Sequence, residues 1–138
     1  MVLHSCPRES EEDFVELLGS WEFPALAQSV ACARIEVIEL LEELEVPQTY
    51  EAAIIVDELV SNVVVHAKTM FELEVERWQN GIKIIVRDLS VQAPSMQALD
   101  PLSENGRGLL MIDNIADEWG HHVHENGKCI WADIVLNF

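Results

Sequence analysis

Asp57-Glu58-Leu59-Val60-Ser61-Asn62-Val63-Val64-Val65-His66-Ala67, the stretch DELVSNVVVHA at residues 57–67, governs how the rest of the chain is read. Ala52, Ile55, Leu59 and Val63 recur at three- and four-residue steps, the period of a helix with one apolar side. Glu58 and Asn62 stand four residues apart, so they stack one turn above the other beside that stripe, and His66 continues the row. Thr49 offers an N-cap and Glu51 a first-turn acid, which predicts a helix from about residue 49 to about residue 66. The run Val63-Val64-Val65 prefers strand, and only packing holds it helical. An amide oxygen suits magnesium, which takes hard oxygen ligands. A carboxylate one turn away can orient or deprotonate a hydroxyl. Alone, such a pair is equally what any amphipathic helix carries on its surface.

On the N-terminal side, Val30, Ala33, Val37, Leu40, Leu41 and Leu44 predict a first helix over about 26–44, ended by Val46-Pro47. Glu36, Glu39, Glu42, Glu43 and Glu45 fall largely outside its apolar stripe, as a solvated face or as a docking face for a basic partner. Ser20-Trp21-Glu22-Phe23 alternates before Pro24 and predicts a short edge strand. Residues 1–19 read as a polar lead-in and residues 20–138 as one domain.

On the C-terminal side, Phe71–Trp78 and Ile82–Asp88 are strand-like runs joined through Gln79-Asn80-Gly81, a strong hairpin signal. Asp88 ends that hairpin, where a carboxylate can accept from an exocyclic amine or simply begin a turn. Residues 89–105 lack periodicity and predict a long loop, and Asn105-Gly106-Arg107-Gly108-Leu109 then opens a helix over about 109–116. Gly106 and Gly108 let the backbone approach a phosphate, and the helix start supplies free amides and about half a positive charge. Two last strands are expected over about 119–124 and 128–136. Trp119 and Trp131 are expected to pack this hairpin, and His121, His122 and His124 to be exposed strand residues. The order of strand, two helices, hairpin, loop, helix and hairpin fits an α+β fold: a two-layer sandwich with helices on one face of a mixed, mostly antiparallel sheet.

Composition sets the outer bounds. At 138 residues and 49% hydrophobic, the chain can bury one core. No apolar run is long enough to cross a membrane and residues 1–13 have no signal-peptide core, so a cytoplasmic protein without membrane contact is expected. Cys6, Cys32 and Cys129 are scattered and are expected as free thiols. The formal net charge of −17 repels a phosphate backbone, which argues against nucleic acid and favours a basic protein surface as partner.

With DELVSNVVVHA (57–67), IIVRDLS (84–90), GRGLLMIDNIADEWG (106–120) and GKCIWADI (127–134) in this order, the sequence resembles the GHKL or Bergerat-fold ATPases. Among them it is most similar to the stand-alone anti-sigma-factor serine kinases. The resemblance covers about residues 20–136 and implies a Bergerat-type fold binding ATP and Mg2+. It implies that Glu58 is the catalytic carboxylate, that Asn62 binds magnesium, and that Asp88 recognises the adenine amine. Gly106, Arg107 and Gly108 would lie in the lid at the phosphates, and Cys129 would take the place of a threonine in the adenine network. The implied activity is sequestration of a sigma factor and phosphorylation of a serine or threonine on an anti-anti-sigma antagonist. A homodimer is among the states that it allows. Ser90 and Gln92 stand where the family's DxGxG box has glycines, which implies a looser grip on nucleotide. The alternative is a non-catalytic protein-binding module of the same fold.

Overall fold

The computed structural model describes residues 13–92 and 112–136. Five strands form one sheet in the order β1-β2-β3-β5-β4, with β1 (Phe14–Phe23), β2 (Phe71–Trp78), β3 (Gly81–Asp88), β4 (Glu118–His124) and β5 (Gly127–Val135). Among the described residues every pairing is antiparallel, where a mixed, mostly antiparallel sheet was expected. The helices α1 (Ala27–Glu43) and α2 (Thr49–Asn62) pack on each other; α2 lies on β3 and β5, α1 reaches β1, and residues 112–115, within the helix expected over about 109–116, are helical as well.

Alternation explains the layers. Phe71, Leu73 and Val75 of β2, Ile82, Ile84 and Val86 of β3, and Ile130, Ala132 and Ile134 of β5 share one sheet face and meet Ala33, Val37 and Leu41 of α1 and Ile55, Val56 and Leu59 of α2. The other face carries Ile85, Cys129 and Trp131 as a small separate cluster, beside a charged row. In that row Arg87 pairs with Glu74, Trp78 Nε1 donates to Glu76 Oε1 at 3.1 Å, and Lys83 Nζ lies 4.2 Å from the Trp78 ring and 4.5 Å from the Trp131 ring.

β1 is longer than its alternation suggests. It pairs with β2 from Phe14 onward, with register shifts between Phe14 and Glu16 and between Leu17 and Gly19. Those bulges break the period of two and hide residues 14–19 inside an apparent lead-in, while also bending a sheet edge away from further pairing. Trp119 and Trp131 occupy opposite faces: Trp119 packs against the main core and Trp131 joins Ile85 and Cys129.

α1 ends as the sequence suggests, with a detail it does not reveal. Glu45 takes the left-handed conformation at φ 59°, the Val46 amide donates to Leu41 O at 2.8 Å and the Glu45 amide to Glu42 O at 3.0 Å. This is the paired-bond helix terminus usually built on glycine. α2 starts at Thr49, with Gln48 and not Thr49 as its N-cap. Beyond Asn62 the crowded valines widen into a π turn over Val63–Ala67, closed by the Lys68 amide on Val63 O at 2.8 Å, with Lys68 at φ 55°.

Candidate functional site

Glu58 and Asn62 flank the buried stripe of α2, and both are half-buried. The residue before Glu58, Asp57, faces α1, where Arg34 Nη1 lies 3.0 Å from each of its carboxylate oxygens. The pair clamps α1 to α2 and leaves Glu58 on the other side of the turn. Burial pushes the Glu58 carboxyl above its ordinary value, and the Asp57 charge adds to the push. A carboxylate raised in this way is a stronger base than an unperturbed one. His66 does not continue the row into the protein; it is exposed on the π turn.

Asp88 closes β3 on the helix-covered face, in alternation with Val86 and Ile84. Its register partner on β5 is Lys128, and Lys128 Nζ lies 3.0 Å from Oδ1 and 2.9 Å from Oδ2. Both side chains are buried, at 5% exposure for Lys128 and 2% for Asp88. Burial raises the Asp88 carboxyl above its ordinary value, against the opposing pull of the Lys128 ammonium and the Ser90 amide. That amide donates to Asp88 Oδ1 at 2.8 Å, and Ser90 Oγ accepts from the Gln92 amide at 3.2 Å. The chain therefore leaves β3 through two side-chain-supported turns where glycines were expected by resemblance. Ser90 is half-buried and Gln92 is exposed. Thr69, between α2 and β2, holds the same corner by accepting from the Leu89 amide at 3.0 Å.

Gly127 makes this corner possible. A Cβ added to it would strike the carbonyl oxygen of Asp88, so only a glycine lets β5 start this close to the end of β3.

Cys129 does not join this constellation. One residue beyond Lys128, it points to the opposite sheet face, where it pairs in register with Arg87 and packs on Ile85 and Trp131. It is fully buried and disulfide-bonded, whereas Cys32 is an exposed free thiol; the expectation of three free thiols therefore fails at Cys129. The closing-strand residue beside Asp88 is Lys128. Counting back by twos from Ile134, Ala132 and Ile130 reaches Lys128, and that alternation was the available signal. Gly106, Arg107 and Gly108 lie outside the described residues. On β4, His121 and His122 are exposed, His124 is half-buried, and the His122 and His124 rings share a face with centroids 5.8 Å apart.

The donor set suits a magnesium-bound nucleotide in kind. Glu58 and Asn62 offer hard oxygens, and Asp88 offers a buried carboxylate at a strand end, though one already engaged by an ammonium.

Among the described residues no helix is long and apolar enough to cross a membrane. The chain is similar in structure to the RsbU and RsbW domains of Rv1364c from Mycobacterium tuberculosis, with a TM-score of 0.61 at 16% identity over 86% of this chain. It spans 32% of the length of that chain, and at this identity the likeness concerns the fold alone. No curated protein matches the sequence. The family model of the histidine kinase-like ATPase domain matches residues 23–134, from the end of β1 almost to the end of β5. A sheet with its helices on one face, Glu58 and Asn62 on the central helix, Asp88 at a strand end and this match place the chain in the histidine kinase-like ATPase family.

Proposed function

We propose that this protein is an ATP-binding regulator of the anti-sigma-factor kind, which sequesters a sigma factor and transfers phosphate from ATP to a serine or threonine of an anti-anti-sigma antagonist. The observation that carries this reading is the half-buried Glu58, raised in basicity by desolvation, one helical turn from Asn62 on the flank of α2. Phosphoryl transfer asks mainly for positioning and charge neutralisation, so a short set of groups suffices. Asn62 and Glu58 are the residues that would hold magnesium and orient the acceptor; bound magnesium would neutralise phosphate charge. Glu58 accepts the proton of the acceptor hydroxyl. Asp88 holds the base end of the nucleotide.

The acidic row on α1 supports the partner side of the proposal. Glu36, Glu39, Glu42, Glu43 and Glu45 are all exposed, and in a chain of net charge −17 they suit a basic docking surface. A non-catalytic module of the same fold is the second reading. Ser90 and Gln92 in place of glycines, and an Asp88 already paired with Lys128, favour it.

Transfer of labelled γ-phosphate to a small antagonist protein separates the two. Transfer by the wild type, with a loss of about 10²–10⁴-fold in Glu58→Ala and nucleotide binding retained, is the result expected of the kinase. Binding of both partners with no transfer by the wild type identifies the module.

A further inference from the structure

The described helices pack on one face of the sheet, yet the opposite face is not open to water. Glu76 on β2, Ile85 on β3 and Cys129 on β5 point outward there and are 0%, 1% and 0% exposed. Glu76 pairs in register with Lys83, two residues before Ile85, and Ile85 pairs with Trp131, two residues after Cys129. The three therefore lie on a diagonal across the sheet. Outward residues beside that diagonal keep partial exposure: Trp131 and Asp133 on one side, Glu72 and Glu74 on the other. A narrow covering laid obliquely over the strands leaves this footprint.

Cys129 identifies the covering. It is disulfide-bonded, Cys32 is a free thiol, and the chain's one other cysteine is Cys6, which lies outside the described residues. The chain reaches the sheet at Asp13, whose carbonyl accepts from the Gln79 amide at 2.8 Å, beside the Phe14–Trp78 pair. From that corner Cys129 is three strand spacings across, about 14 Å, and six residues along, about 20 Å, which makes a diagonal of roughly 24 Å. Cys6 is seven residues from Asp13, a stretch that spans at most about 25 Å, and a disulfide adds about 5.5 Å between Cα atoms. The reach suffices only for a nearly straight path, and the straight path runs over Glu76 and Ile85.

We propose that residues 6–12 are a strap across the outer sheet face, fastened by a Cys6–Cys129 disulfide and released by exchange with a low-molecular-weight thiol. Arg87 is the register partner of Cys129, and its buried Nε finds no acceptor among the described residues. A guanidinium in that place stabilises a thiolate at Cys129 and so eases its departure. A small thiolate attacks the Cys6 sulfur and expels the Cys129 thiolate; a second thiol then displaces the first as a small disulfide. Two small thiols are thereby oxidised, and their two electrons and two protons end on Cys6 and Cys129. A low-molecular-weight disulfide closes the strap by the reverse steps. Release uncovers Ile85 and Glu76 beside Trp131, a surface that the oxidised chain withholds from partners.

Trypsin separates the three cysteines into residues 1–8, 9–34 and 129–138, so peptide mapping reads the pairing directly. The full chain is equilibrated with oxidised glutathione, capped with N-ethylmaleimide and digested without reductant. A linked pair of 1–8 with 129–138 from monomeric protein, with Cys32 capped, is the result expected. Capped Cys6 and Cys129, or a bond joining two copies of the chain, overturns the proposal. Native digestion tests the strap itself: cleavage after Arg8 should become roughly tenfold or more faster when reduced glutathione opens the bond. In Cys6→Ser it should be fast with or without glutathione. Equal rates in the oxidised and reduced wild type show that the segment is not held down, and a bond that glutathione opens only after unfolding removes the release step. The wild-type comparisons stand alone if the variant does not fold.

Discussion

Desolvation and the Asp57 charge act in the same direction on Glu58, and both raise its carboxyl above the ordinary value of 4.5. A base must be deprotonated to work, so the acid limb of the transfer rate should fall at a higher pH than an unperturbed glutamate would give. Replacing Asp57 by Asn removes one of the two causes, and the limb's midpoint should move down; a pH–rate profile of the two proteins measures it. An unmoved midpoint would mean that Glu58 does not set the limb. Glu58 and Asn62 were legible because helical period four fixes their relation whatever the rest of the fold does. Asp88 was legible because a strand-end carboxylate before a loop is conspicuous. Cys129 lies one residue beyond Lys128, and in a strand one residue means the opposite face.

At the level of elements, each strand and helix follows from its own pattern except where geometry departs from the ideal. The β2–β3 hairpin and α1 appear within about a residue of their expected bounds, because alternation and the 3.6-residue period are unbroken there. β1 was cut short because its bulges interrupt alternation, and the π turn after Asn62 had no signature beyond a run of β-branched residues. One tight element junction is Gly127 against the end of β3. Gly127→Ala should destabilise the fold by about 1–3 kcal/mol in chemical denaturation, the usual range for forcing atoms into a packed site. It should also displace Asp88, because the added Cβ can be accommodated only by moving the Asp88 carbonyl. Stability equal to wild type would show that the two strands are not held this closely. Residues 106–108, where the phosphate loop is expected, lie outside the described residues and remain an expectation from the sequence.

For the molecule as a whole, charge and architecture point to different aspects of function. The net charge of −17 concerns association and not the fold, through a field that salt screens. The architecture concerns chemistry: α2 lies over β3 and β5, and so brings the helix with Glu58 and Asn62 onto the strand that ends in Asp88 and the strand that begins at Gly127. The fold class was readable because the order of elements admits few arrangements that bury every apolar face. The partner was not, since an exposed acidic face looks the same whether it is solvated or docked. The central claim, a magnesium-dependent nucleotide site built on α2, is tested most directly by calorimetric titration of MgATP into the wild type and Asn62→Ala. The result expected is saturable one-to-one binding by the wild type that depends on magnesium and weakens by about tenfold or more in Asn62→Ala. Absence of wild-type binding, or equal binding by both proteins with and without magnesium, would contradict it.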